Sequence, residues 1–289
     1  MTSRARPRRP TAFGVFGIAF LTLWVLLEIL PLLWVLRTSL APRDTLFSSP
    51  FAAAQGAWTL DNYARVLGVG PDSDSELQFL AYLSNSVVYT TIVVTGQVTF
   101  STMAGYAFAR LTFPGREFLF GIFLSGLMVP PIFTALPNFV LMKNLDLLDT
   151  FAALAAPTFF VTPFAVFFMR QFFLGVPREL EEAAMLDGCN RWQIFTRVVA
   201  PCVSGPIITL AIVTAVTTWN DYLWPLLVGT ETTKVLNVGL SSFLAQSRSQ
   251  QPDWAGLMAG SVLSVLPVLV ILSVFGRRLV ASLNFTGVK

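Results

Sequence analysis

Six long stretches of almost unbroken apolar residues, separated by short polar intervals, run along the chain at 13–36, 83–109, 118–140, 151–169, 203–228 and 256–275. A helix needs about 20 apolar residues to cross the hydrocarbon core of a bilayer, and each stretch reaches that scale. The pattern predicts an all-α membrane protein with six transmembrane helices. The third and fourth stretches are the least regular, because Pro130, Pro131, Pro137, Pro157 and Pro163 interrupt the helical hydrogen-bond ladder. The polar, acidic interval 177–201 reads PRELEEAAMLDGCNRWQIFTRVVAP and is too regular to be a mere connection.

Within that interval the residues prescribe two short helices and a bend. Pro177 suits a first helical turn, and Glu179, Glu181 and Glu182 follow where the positive end of a helix dipole favours carboxylates. Leu180, Ala183 and Ala184 fall at helical spacing, and the small alanines permit close approach of a partner. Gly188 is suited to the left-handed conformation that ends a helix, and Asn190 to capping the next. On that second helix Trp192, Phe195 and Val199 recur as an aromatic and aliphatic ridge, and Pro201 turns the chain toward the next span. A loop lying flat on lipid is the plain alternative. The acidic first half opposes it, because the cytoplasmic leaflet is itself negative, and docking to another protein is the better reading.

Charge fixes the expected orientation. Charged residues are 12% of the chain, against roughly 25% in soluble domains. Basic residues stay on the cytoplasmic side, and placing the N-terminus there puts thirteen of the 19 Lys and Arg on that side. The first apolar stretch then reads as a retained anchor, since a cleaved leader has an apolar core of only about 7–15 residues. Residues 1–12 are a basic cytoplasmic tail, and 13–289 form one transmembrane domain with a cytoplasmic loop at 171–201. The segment 39–78 is the one sizeable external connection, with Trp58 and Tyr63 expected to pack it on the membrane surface. A net charge of +3 follows from this topology and gives no reason to expect nucleic acid.

Several chemistries are excluded. The chain has no histidine, which removes histidine triads, histidine metal sites and the usual proton shuttle near neutral pH. It has no GxxxxGK[ST] loop to cradle a nucleotide. Cys189 and Cys202 match no metal or redox spacing, so free thiols are expected. No enzyme activity, metal or cofactor of the chain's own is expected, and ATP chemistry would have to come from another subunit.

Ionisable residues inside apolar stretches are costly and functional by default. Asp221, beside Asn220 in the fifth stretch, either lines a translocation pathway or pairs locally where the helix breaks before Pro225, and the local role is favoured. For Glu28, interhelical pairing is favoured. Ser101, Gly105 and Ala109, and likewise Gly256 and Gly260, are spaced for close helix packing. Pro130 and Pro131 are expected to kink a helix.

The order Glu182-Ala183-Ala184, three residues, Gly188, nine residues, Val198-x-Ala200-Pro201 resembles the EAA loop of binding-protein-dependent ABC importer permeases. Val198 and Ala200 stand where that pattern usually has Ile and Leu. The segments WTLDNYARVL at 58–67, AGYAFARLTFPGR at 104–116, TWNDYLWPLLV at 218–228 and LMAGSVLSVLPVLV at 257–270 are similar to the carbohydrate-type branch, which includes the maltose permease subunit MalG. The resemblance implies the type I importer fold, with both termini cytoplasmic, in the bacterial cytoplasmic (inner) membrane. It implies a homologous permease partner, two ATP-binding subunits that use ATP and Mg, and an extracytoplasmic solute-binding protein. It also implies that Glu182, Ala183, Ala184, Asp187, Gly188, Arg191 and Trp192 form the surface that docks on an ATPase subunit, with Glu182 facing a basic residue there. The cargo would be a disaccharide, an oligosaccharide or a polyol phosphate such as glycerol 3-phosphate. An ion-coupled carrier using Glu28 or Asp221 is the rival reading.

Overall fold

The computed structural model describes residues 12–42, 58–69, 78–245 and 253–283. The basic tail, much of the external segment and the last six residues therefore lie outside the described residues. The described residues form helices joined by turns, and the chain divides into two compact units, 1–75 with 243–263 and 76–242 with 264–289.

In the first unit α1 (Ala12–Ser39) is apolar on every side, as a helix solvated by lipid must be. Glu28 is exposed on it, and the expected interhelical pair is not seen among the described residues. The short helix α2 (Asp61–Val66) is fastened to the end of α1 by polar bonds. Asn62 donates to the carbonyls of Ser39 and Ala41 at 2.9 Å each, and the Tyr63 hydroxyl lies 2.6 Å from Ser39 Oγ. Tyr63 thus serves an internal contact, whereas Trp58 is exposed. Arg65 forms a buried pair with Asp253 at 2.6 Å.

The second unit is built around α3 (Phe79–Arg110), which packs on α6 (Phe151–Phe159), α7 (Pro163–Leu174) and α10 (Ser204–Trp219). The small-residue stripe makes this possible. Ser101 and Ala109 are buried, and a Cβ on Gly105 would lie 2.7 Å from the Met169 Cβ. A Cβ on Gly96 would meet the Phe159 ring at 2.4 Å. Two apolar clusters sit toward opposite ends of α3, one around Tyr106 and Ala109, the other around Tyr89 and Val93.

Three helical stretches, Phe16–Ser39, Phe79–Arg110 and Trp254–Gly276, are long and apolar enough to span a membrane. The last belongs to α13 (Trp254–Leu283). Three bent pairs bring the total to six if each pair is one span. The third predicted stretch is α4 (Arg116–Ser125) followed by α5 (Pro131–Asn144) at a 100° bend, far more than the expected kink. Pro130 is extended at φ −61° and ψ 136°, and Pro131 opens the next helix, where its missing N–H costs nothing. Pro163 likewise opens α7 after a 45° bend. Pro137 and Pro157 lie inside α5 and α6, where each removes a donor from the ladder without ending its helix. The predicted fifth span stops at Trp219, and a separate helix α11 (Leu223–Val228) resumes after Asn220 and Asp221. The short α12 (Leu236–Ala245) follows.

Candidate functional site

The polar interval folds as two short helices on one end of the second unit. After Gly175 the chain turns, and α8 (Glu179–Leu186) begins with the Glu181 and Glu182 amides donating to the Arg178 carbonyl. Its end is built by Gly188, whose φ of +84° strains any residue with a Cβ. The Gly188 amide donates to the Met185 carbonyl and the Cys189 amide to the Ala184 carbonyl, at 3.1 and 3.0 Å. This crossed pair satisfies carbonyls that a helix end leaves open. Asn190 then opens α9 (Arg191–Cys202). Its Oδ1 accepts from the Gln193 amide and its own amide donates to Gln193 Oε1, both at 2.9 Å, a reciprocal cap. Within α9 the turn Ile194–Val199 is wound as a π-helix. At Val203 the chain bends by 79° into α10.

The two helices have sharply different faces. Ile194, Phe195 and Val199 are buried with Tyr106, Met169 and Phe173 in one apolar cluster. Ala184 joins them at 7% exposure, so the close approach it permits is to this chain's own core. Glu182, Ala183, Asp187, Gly188, Arg191 and Trp192 are all exposed. Leu186 at 90% and Trp192 at 59% exposure present apolar surface beside them. The expected ridge is therefore split, with Trp192 outward and Phe195 and Val199 inward.

Glu181 was not among the expected site residues, yet it is the more constrained of two adjacent glutamates. It is 6% exposed, with Oε1 3.2 Å from Arg110 Nε and Oε2 accepting from the Tyr106 hydroxyl at 3.5 Å. The Arg110 guanidinium also donates to the Phe173 and Val176 carbonyls. Nothing local distinguishes Glu181 from Glu182. The only available signal was Arg110 itself, a cation at the end of an apolar stretch.

Asn220 and Asp221 stand apart from this loop, separated by the 16 residues of α10, about 24 Å of helix. Asn220 bonds back to the Val216 carbonyl at 2.8 Å, and Asp221 accepts from the Tyr89 hydroxyl at 3.2 Å. The first bond closes the end of α10, and the second ties the break to α3.

A second carboxylate near that end also escaped the sequence reading. Asp149, in the left-handed region at φ 58°, accepts from the amides of Thr230, Glu231, Thr232 and Thr233 at 3.0–3.2 Å. The Thr232 and Thr233 hydroxyls add bonds of 2.9 Å each. Burial pushes the carboxyl pKa up, but the backbone and hydroxyl donors of Thr232 and Thr233 outweigh it and hold the group well below the usual carboxylate range.

A family model described as "Binding-protein-dependent transport system inner membrane component" matches residues 97–284. The diacetylchitobiose uptake system permease NgcG of Streptomyces coelicolor is 31% identical over 284 residues, covering 98% of this chain and 91% of the relative. The arabinooligosaccharide transport permease AraQ of Halalkalibacterium halodurans is 33% identical and covers 94% of each. A crystal structure of a bacterial ABC transporter involved in alginate import contains a chain of the same fold, with a TM-score of 0.80 at 22% identity, over 95% of this chain and 99% of that one. The loop of two capped helices lies inside the region these comparisons match, and the chain belongs to the family of binding-protein-dependent transport system inner membrane components.

Proposed function

We propose that the chain is a membrane-spanning permease subunit of an ATP-driven importer that takes up a di- or oligosaccharide by alternating access. The observation that carries this reading is the two-faced loop. One side of α8 and α9 is buried in the subunit's own core, and the other exposes Glu182, Ala183, Leu186 and Trp192, a mixture of polar, small and apolar groups. Such a surface suits a cleft in another protein, since an exposed apolar patch rimmed by polar residues marks an interaction site. The occupant of that role is an ATP-binding subunit, one of two, which binds ATP and Mg in place of this chain. A homologous permease and an extracytoplasmic solute-binding protein complete the assembly in the bacterial cytoplasmic membrane. The loop and both termini face the cytoplasm, in keeping with the distribution of basic residues. Relatives named for diacetylchitobiose and arabinooligosaccharides support a sugar as cargo.

In this mechanism closure of the ATPase pair displaces the loop, and the attached helices tilt as a body because α8 and α9 share one packed cluster with α3, α7 and α10. Asn220 and Asp221 hold the break between α10 and α11. The test is Glu182→Ala in the complete transporter. It should abolish ATP-dependent uptake while the chain still inserts and its stability stays within about 0.5 kcal/mol, as for an exposed side chain. Normal uptake by that variant would refute the docking role.

A further inference from the structure

Resting on that reading of the loop, we infer that the buried Arg110–Glu181 pair is the linkage through which displacement of the loop reaches the central helix α3, with Glu181 acting as a positioning residue. The geometry is specific. One guanidinium on the last turn of α3 holds the Phe173 and Val176 carbonyls at the end of α7 and the Glu181 carboxylate in the first turn of α8. Three elements meet on a single side chain that is 4% exposed. One turn earlier on α3, Tyr106 reaches the same carboxylate with its hydroxyl. Its ring packs on Phe173 and Phe195 at centroid distances of 5.7 and 5.0 Å.

Packing alone already seats the loop. Ala184, Ile194, Phe195 and Val199 are all buried against the bundle. A charged pair taken out of water is weak evidence for stability, because its desolvation penalty rivals its attraction. Apolar packing is non-directional, whereas a carboxylate between a guanidinium and a hydroxyl fixes both rotation and register of α8 against α3. Because Glu181 and Glu182 are adjacent on the first turn of α8, the residue that meets a partner and the residue that grips α3 are moved by the same rigid turn. α3 has 32 residues, about 48 Å of helix, and packs on α6, α7 and α10. Motion delivered at Arg110 is thereby distributed to the helices of the second unit.

The experiment compares uptake and ATP hydrolysis by the complete transporter in proteoliposomes, with a radiolabelled sugar that its solute-binding protein retains. Glu181→Gln keeps the shape and the hydrogen-bonding capacity but removes the charge. It should assemble with its ATPase subunits and hydrolyse ATP at the wild-type rate. Sugar delivered per ATP should fall about tenfold, the scale expected for weakening a charge-assisted hydrogen bond. Glu181→Asp should recover part of that ratio. Tyr106→Phe removes only the hydroxyl contact and should lower the ratio about twofold; it decides the matter if Glu181→Gln fails to assemble. Unchanged sugar per ATP in Glu181→Gln, or in Tyr106→Phe if only that variant assembles, would overturn the linkage. Failure of the docking reading shows separately, as normal uptake in Glu182→Ala.

Discussion

Two carboxylates fasten segments toward opposite ends of the same bundle, and they do so by different means. Glu181 is buried and answered by a cation on another helix, Arg110. Asp149 is half-buried and answered by four backbone amides and two hydroxyls of the 230–233 segment. The first joint connects elements that are each already formed. The second shapes a segment that has no helix of its own, since the amides it gathers would otherwise lack partners. A segment of loose backbone is well clasped by dipoles of its own amides, while two preformed helices are joined by one charge on each.

Removing Arg110 should test that distinction most severely. Arg110→Ala strands the Glu181 carboxylate in an apolar cluster and should destabilise the subunit by about 3–5 kcal/mol, measured as loss of thermal stability in detergent. The double variant with Glu181→Ala should regain part of that loss, and equal stability of the single and double variants would show that no pair exists. Asp149→Ala should cost less, about 1–3 kcal/mol for amides left unpaired, and should expose residues 229–233 to limited proteolysis. The acid dependence has a definite sign. The native carboxyl titrates below its unfolded value, so its contribution is complete above about pH 4 and is lost as pH falls through the native pKa. The stability gap between wild type and Asp149→Asn should therefore be constant from neutral pH down to that point and close only in stronger acid. Gly188→Ala should be the mildest of the three, about 1–2 kcal/mol for a left-handed residue with a Cβ. No described residue lies within 4 Å of the added Cβ, so the backbone carries the effect.

What the sequence disclosed follows the range of each interaction. Gly188 and Asn190 were legible because the conformations they permit are local, and both do what their chemistry suggests. The small stripe on α3 was legible for the same reason, as spacing alone puts Ser101, Gly105 and Ala109 on one face. Glu181 and Glu182 were not separable, because only the tertiary position of Arg110 decides which of two neighbours turns inward. Asp149 carried no signal at all, since its donors lie some eighty residues downstream. The prolines show the limit of a composition rule. Pro131 and Pro163 open helices, whereas Pro137 and Pro157 are carried within them, and which outcome holds depends on whether neighbouring helices support the interrupted ladder. The family and its fold were nonetheless readable from ordered short segments spread over the chain, and the match over 97–284 bears that out.

The π-wound turn Ile194–Val199 accommodates one more amino acid than a regular α-turn over the same axial length. Excising a single residue there would let the segment rewind as ordinary α-helix with little change in length. Kept at its full length but wound as α-helix, the same turn would instead swing the exposed indole upstream by about 100° around the axis relative to the apolar side chains anchored downstream. The π winding of that turn thus sets the angle at which Trp192 is offered to whatever the subunit meets.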